Sequence, residues 1–118
     1  MVKCTLEGRS PFCVAGNKLC FINREGRVIN IHENNPDKRC PKISEIAASD
    51  LIINALATGS DNVLFSGGYD STVKKWDLNS LKCAGSINLN CCVNSLASNS
   101  ENSVYVARAD GVISQVGS

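Results

Sequence analysis

The sequence predicts an all-β fold of about three antiparallel sheets, each of four short strands, spread over residues 1–118. Three observations predict it. The chain matches itself when shifted by 40 residues. Its apolar residues fall in short runs bounded by Gly, Asn, Asp and Ser. Helical periodicity is missing from most of its length.

Under the shift of 40, Ile53-Asn54-Ala55-Leu56-Ala57 falls on Val93-Asn94-Ser95-Leu96-Ala97. Asn62 falls on Asn102, Leu64 on Val104, Phe65 on Tyr105, Asp70 on Asp110 and Val73 on Ile113, and no gap is needed. A more worn copy lies upstream, where Arg24-Glu25-Gly26-Arg27-Val28-Ile29-Asn30-Ile31 resembles Ala109-Asp110-Gly111-Val112-Ile113-Ser114-Gln115-Val116. Lys3-Cys4 matches Lys82-Cys83, and Cys13-Val14 matches Cys92-Val93. The offset is 79 residues for these early matches and 85 for the later ones, so the first copy is expected to be about six residues shorter near Val14 to Lys18. The three copies cover approximately residues 2–31, 39–77 and 82–116.

The second copy shows the strand pattern most clearly. Its first strand is expected near Cys40 to Ile46 and its second at Ile52 to Thr58, an apolar run that should be buried. A Gly-Ser-Asp-Asn turn at Gly59 to Asn62 leads to a third strand at Val63 to Gly67. Gly68-Tyr69-Asp70-Ser71 turns the chain into a fourth strand at Thr72 to Asp77, and Leu78-Asn79-Ser80 links to the next copy. Over 43–56 the residues Ile43, Ile46, Ala47 and Leu51 also fit a short helix.

Composition narrows the function. The net charge is +1 with 19% charged residues, which gives no pull toward nucleic acid or a membrane surface. Apolar residues make up 43% and aromatic ones 5%, so a core of Val, Ile, Leu, Ala and Cys is expected. The N-terminal residues lack the apolar run of a signal peptide and no stretch reaches transmembrane length, which points to cytoplasm or nucleus. The seven cysteines, Cys4, Cys13, Cys20, Cys40, Cys83, Cys91 and Cys92, form no CxxC and are expected to be reduced thiols acting as small buried hydrophobes.

The stretch from Phe65 to Leu78, Phe-Ser-Gly-Gly-Tyr-Asp-Ser-Thr-Val-Lys-Lys-Trp-Asp-Leu, resembles the core of a WD repeat, and the period near 40 agrees with that family's repeat of about 40–45 residues. The resemblance implies a WD40-type β-propeller, with blades of four antiparallel strands around a channel. Its signature falls here on Gly67, Asp70, Trp76 and Asp77, with Asp110 and Gly111 in the third copy. Asp70 would hold the turn between the third and fourth strands, Asp110 would do so in the third copy, and Glu25 in the first. Trp76 would bury its ring against the next blade, and its counterparts are Ile31 and Val116. Gly67 and Gly68 would let the backbone pass closely beside the turn. The chain departs from the family in two places. Where members often carry a Gly-His pair whose His bonds the turn Asp, this chain has Ala48-Ser49-Asp50 and Asn88-Leu89-Asn90. Position 75, often apolar, is Lys, with Asn30 and Gln115 at its counterparts. A ring needs about 4–8 blades, so three make an incomplete one, with apolar faces open to self-association.

Little else in the sequence suggests chemistry. His32 is the only histidine, so no catalytic triad or dyad is expected beyond a surface imidazole. Cys4, Cys13, Cys20, His32 and Cys40 are too widely spread for a zinc motif, and no metal or other cofactor is expected. Gly67-Gly68 lacks the Lys-Ser/Thr ending of a phosphate loop. Asp110-Gly111 and Glu25-Gly26 read as hairpin turns. Lys74-Lys75 reads as a solvated basic step, and 33–39 as a polar linker. The function expected is a non-enzymatic scaffold or adaptor for protein or peptide partners, cut from a longer protein. The alternatives are a substrate-recruiting or regulatory propeller segment of a larger enzyme, such as a ubiquitin ligase or kinase, and a small β-protein that binds a ligand through its thiols.

Overall fold

The computed structural model describes residues 2, 5–60, 62–99 and 101–116. Cys4 with Lys3, and Asp61 of the Gly59–Asn62 turn, lie outside them. Eleven strands make three antiparallel sheets. The first holds β1 (Arg9–Ala15), β2 (Lys18–Ile22), β3 (Val28–Glu33) and β4 (Lys42–Ala47) in sequence order. The second holds β5 (Ile53–Thr58), β6 (Val63–Gly68), β7 (Thr72–Asp77) and β8 (Lys82–Asn88). The third holds β9 (Val93–Ser98), β10 (Val104–Arg108) and β11 (Ile113–Val116). The one helical element among the described residues is the 3-10 turn Pro36–Lys38. The stretch 43–56, which also fits a helix by pattern, is strand β4, a bend and strand β5.

The sheets are out of phase with the sequence copies by one strand. The segment expected to open the second copy, near Cys40 to Ile46, pairs with β3 and closes the first sheet instead, with Ile29 opposite Ile46. In the same way β8 closes the second sheet, with Trp76 opposite Cys83. Sequence similarity shows where a unit recurs but not where a sheet begins, because a strand joins the neighbour its backbone can reach. Among the described residues the third sheet has three strands, and the outer edge of β11 is unpaired.

The first strands β1, β5 and β9 lie side by side, and the three sheets stand face against face in a row 42 Å long. Two apolar seams join them. Cys20, Ile22, Ile29, Ile31 and Ile46 of the first sheet meet Leu56, Leu64 and Trp76 of the second. Phe65, Val73 and Ala57 of the second meet Val93, Val104, Val106 and Val116 of the third. The middle sheet is thus covered on both faces, which is why β5 and β6 read as near-continuous apolar runs rather than alternating ones.

This packing corrects two sequence assignments. Trp76 points back into the seam with the first sheet, not forward to the next one. Ile31 points forward into that same seam, so it is not the counterpart of Trp76. Leu64 faces Trp76 and Val104 faces Val116 across their hairpins, whereas Leu19 faces His32 and Cys20 faces Ile31. His32 therefore holds the tryptophan's place in the first sheet. A slip of one residue moves every side chain to the other face, and the first copy carries that slip in its β2–β3 turn. Ile31 then stands where the second sheet has Lys75, so the first sheet keeps an apolar residue there.

Candidate functional site

The turn from β6 to β7 carries the densest polar network. Asp70 Oδ1 accepts the Thr72 backbone N–H at 3.1 Å, and the Thr72 hydroxyl donates to the Asp70 carbonyl at 3.1 Å. This local bonding suits an aspartate that opens a turn. The other carboxylate oxygen accepts the Ser49 hydroxyl at 3.0 Å, and Lys74 Nζ stands 3.6 Å from it. Lys74 also donates to the Ala48 carbonyl at 2.7 Å. Ser49 comes from the stretch Ala48-Ser49-Asp50 that lacks a histidine, so a hydroxyl and an ammonium rebuild the missing network. Lys74 is correspondingly not a solvated basic step: its side chain is 27% exposed and Asp70's is 23%.

The other two turns use different residues. In the third sheet Asp110 Oδ1 accepts Val112 N–H at 3.2 Å, and its other oxygen holds Arg108 at 2.7 Å. Gly111 sits at φ +87 with open space around its α-carbon, so the left-handed backbone rather than crowding selects glycine there. In the first sheet Glu25 makes only an exposed 3.3 Å ion pair with Arg27. Asn23 Oδ1 holds that turn instead, accepting the N–H groups of Gly26, Arg27 and Val28 at 3.0–3.2 Å. A side-chain amide that begins the turn can reach three donors that a carboxylate at its centre faces away from.

Beneath the β6–β7 turn, Trp76 is 7% exposed and its indole N–H donates to Ser66 Oγ at 2.9 Å, a fully buried bond. Ser66 is the one buried polar residue among the described ones, and the indole satisfies it. Nothing in the sequence points to this pair, since Ser66 reads only as a polar residue inside the third strand of its copy. Gly67 and Gly68 differ in what they admit. A methyl on Gly67 would come 2.9 Å from the Val93 side chain of the third sheet, and one on Gly68 would come 2.2 Å from the Ile52 carbonyl oxygen.

Asp77 ends β7 and orders the link to β8. Its Oδ1 accepts the N–H of Asn79 at 2.8 Å, and this bond is the main reason its carboxyl is held below the ordinary aspartate range. The folded value lies below the unfolded one, so the stabilising share is full above the ordinary aspartate range and is lost as pH falls through the lowered value. Asp77→Asn is expected to remove this part of the acid sensitivity, read as a flatter stability curve through and below the ordinary aspartate range in urea unfolding at stepped pH; an unchanged curve would refute it.

Side-chain bonds also tie sheet to sheet. Asn102 Oδ1 accepts Ser60 N–H at 2.7 Å, and Asn102 Nδ2 donates to Ser60 Oγ at 3.0 Å. Asn54 Nδ2 donates to the Val93 carbonyl at 3.2 Å, and the Ser98 hydroxyl to the Thr58 carbonyl. Asn62 and Asn102 both sit in the left-handed region, at φ 64 and 63. Asparagine tolerates that conformation better than other side chains, which explains why this pair recurs at the repeat spacing.

The surfaces open to a partner lie at the two ends of the row. On the first sheet's outer face, Phe12 is 71% exposed and Val14 48%, beside a cleft of about 310 Å³ lined by Leu6, Phe12, Leu19 and Phe21. On the third sheet's outer face, Ile113 is 70% and Tyr105 43% exposed, beside Ala97 and Ala107. A third cleft, of about 430 Å³, opens between β8 and β11, lined by Phe65, Val73, Ile87, Val104 and Val116. It lies where the fourth strand of the third sheet would stand by analogy with β4 and β8. His32 Nδ1 is 2.8 Å from the Cys40 carbonyl and its ring lies 5.0 Å from Phe21, a packing role. Among the described residues no three His, Cys, Asp or Glu side chains converge as metal ligands, and no helix is long and apolar enough to cross a membrane.

No family model and no curated protein matches the chain. Solved structures do. The RRP9 WD40 repeats align with a TM-score of 0.75 at 18% identity, over 89% of this chain and 34% of that one. The WD40 β-propeller domain of Doa1 gives 0.76 at 14% identity, over 89% and 35%. The Cps50 (Swd1) β-propeller domain of Myceliophteria thermophila gives 0.71 at 15%, over 95% and 40%. The chain thus spans between a third and two-fifths of the length of these structures. At such identities the likeness concerns the fold alone, and on it the sheet order, the two apolar seams and the repeated turns agree: the chain has the WD40 β-propeller fold, as three successive blades of an incomplete ring.

Proposed function

We propose that the chain is a non-catalytic scaffold segment of a longer propeller protein, and that it works by holding protein or peptide partners. The observation that carries this reading is the pair of open end faces. Phe12 and Val14 at one end, and Tyr105 and Ile113 at the other, are the same kind of side chains that the two inner seams bury. Apolar sheet faces left open in this way favour association with another surface. The signature residues Gly67, Asp70, Trp76, Asp77, Asp110 and Gly111 serve the turns and seams in this reading, leaving the end faces for neighbouring blades and the exposed loops for partners. The net charge of +1 supports protein rather than nucleic acid or anionic membrane as the partner class. Cytoplasm or nucleus is the compartment that goes with this reading.

The test is light scattering with far-UV circular dichroism over a concentration series. The wild-type chain is expected to be β-rich and to gain mass with concentration. A variant with Phe12→Glu and Ile113→Lys is expected to keep the same spectrum and lose most of that gain. A wild-type chain that is folded and monomeric at every concentration would overturn the reading.

A further inference from the structure

We propose that Cys13 and Cys20 are a redox couple, a cross-strand dithiol that closes to a disulfide on meeting a small disulfide of the glutathione class. The two residues stand directly opposite each other in the β1–β2 hairpin. Opposed residues in an antiparallel pair have their α-carbons roughly 4.5–5.5 Å apart, inside the 4.4–6.8 Å span a disulfide bridges without backbone movement. Both side chains face the seam with the second sheet: Cys20 lies inside that core, fully buried, and Cys13 packs against it while keeping partial solvent access. The thiols hydrogen-bond to each other, which draws the Cys20 sulfur toward thiolate and holds the proton on Cys13. Among the described residues no other two cysteines face each other across a ladder: Cys83 opposes Trp76, and Cys40, Cys91 and Cys92 lie outside the strands.

The reaction is a two-step exchange. Cys13, the reachable thiol, attacks one sulfur of the small disulfide while the Cys20 thiolate beside it takes its proton. A Cys13–sulfur bond forms, the small disulfide's S–S bond breaks, and the first small thiolate leaves and takes that proton. Cys20 then attacks the Cys13 sulfur, forming the Cys13–Cys20 bond and expelling the second small thiolate, which is protonated by water. The dithiol loses two electrons and the small disulfide gains them. The product ties β1 to β2 at the edge where β1 lies beside β5, so the hairpin opens less readily.

The test uses the folded full chain in buffers of oxidised and reduced glutathione, followed by acid quench, alkylation of free thiols, tryptic digestion and mass spectrometry. Residues 10–18 and 19–24 fall in separate tryptic peptides, so the bond reads directly as a linked pair. That pair is expected to appear before any other protein disulfide, to vanish in Cys13→Ser, and to persist in Cys40→Ala. Cys13 and Cys20 still alkylated while the exposed Cys83 is glutathionylated would overturn the proposal, as would a mixed disulfide that stops at Cys13. Hydrogen exchange of the oxidised against the reduced wild type needs no variant. Amides of β1 and β2 are expected to exchange about tenfold more slowly when oxidised, and equal rates would refute the locking. Neither readout depends on whether the end faces bind a partner.

Discussion

Trp76→Ala is expected to cost about 3–5 kcal/mol of stability. The ring fills the seam between the first two sheets beside Leu56, Leu64, Ile22 and Ile29, and its neighbours belong to two different sheets that cannot both collapse into the gap. The loss has a second part. Ser66 is 3% exposed and its hydroxyl is bonded to the indole N–H, so alanine leaves a buried hydroxyl without its donor. A buried group stripped of its partner costs about 1–3 kcal/mol. Trp76→Phe separates the parts: it retains an aromatic ring and forfeits the bond. Adding Ser66→Ala to Trp76→Phe is then expected to recover about 1 kcal/mol. Urea unfolding followed by circular dichroism checks all three variants. A cost below about 1 kcal/mol for Trp76→Ala would mean that the seam does not hold the first two sheets together. Trp76 is also the only tryptophan in the chain, so its emission in the wild type reports the integrity of that seam alone.

Gly68→Ala is expected to destabilise by about 3 kcal/mol, the upper end for forcing atoms into a packed site. The added methyl would sit 2.2 Å from the Ile52 carbonyl oxygen and 2.8 Å from the Ile53 α-carbon, both backbone atoms that cannot rotate away. Arg108 holds the equivalent place in the third sheet and carries a full side chain. The two ladders skip one residue at the same place, Ile53 pairing with Gly68 and Ala55 with Gly67 as Val93 pairs with Arg108 and Ser95 with Ala107, so the bulge itself admits a side chain and the close approach at Gly68 is local to the second sheet. Alanine at 68 would push on the Ile52 carbonyl, which accepts the 3.0 Å bond from Tyr69 N–H. Gly67→Ala is the comparison, since its methyl would meet only the Val93 side chain, at 2.9 Å, and a side chain can shift. A smaller loss is expected there. Equal losses at both positions, by the same urea measurement, would show that backbone crowding at Gly68 is not the cause.

Much of the fold was legible because local physics decides it. Turn residues at Gly59, Asn62, Asp70, Asp110 and Gly111 interrupt apolar runs at a constant spacing, and each such run can only be a short strand. The all-β class, the repeat, the burial of β5 and the position of the β6–β7 turn follow from that alone. Local pattern misleads where one residue of slip matters. Ile31 aligns with Trp76 by apolar character alone, yet the ladder puts His32 opposite Leu19, where the second sheet has Trp76 opposite Leu64.

What recurs is written locally along the chain: strand, turn, strand, with an asparagine or aspartate wherever the backbone needs a short acceptor. What each copy touches is set by packing between sheets. It sent Trp76 back to the first sheet and β4 and β8 to the sheets before them. It gave the Asp70 network to Ser49 and Lys74 in place of a histidine. The two differ in range. Turn chemistry acts over three or four residues and leaves its mark in the local sequence. Seams and networks join residues about 20 to 40 positions apart, and any side chain of suitable size and polarity can serve once the backbone delivers it there.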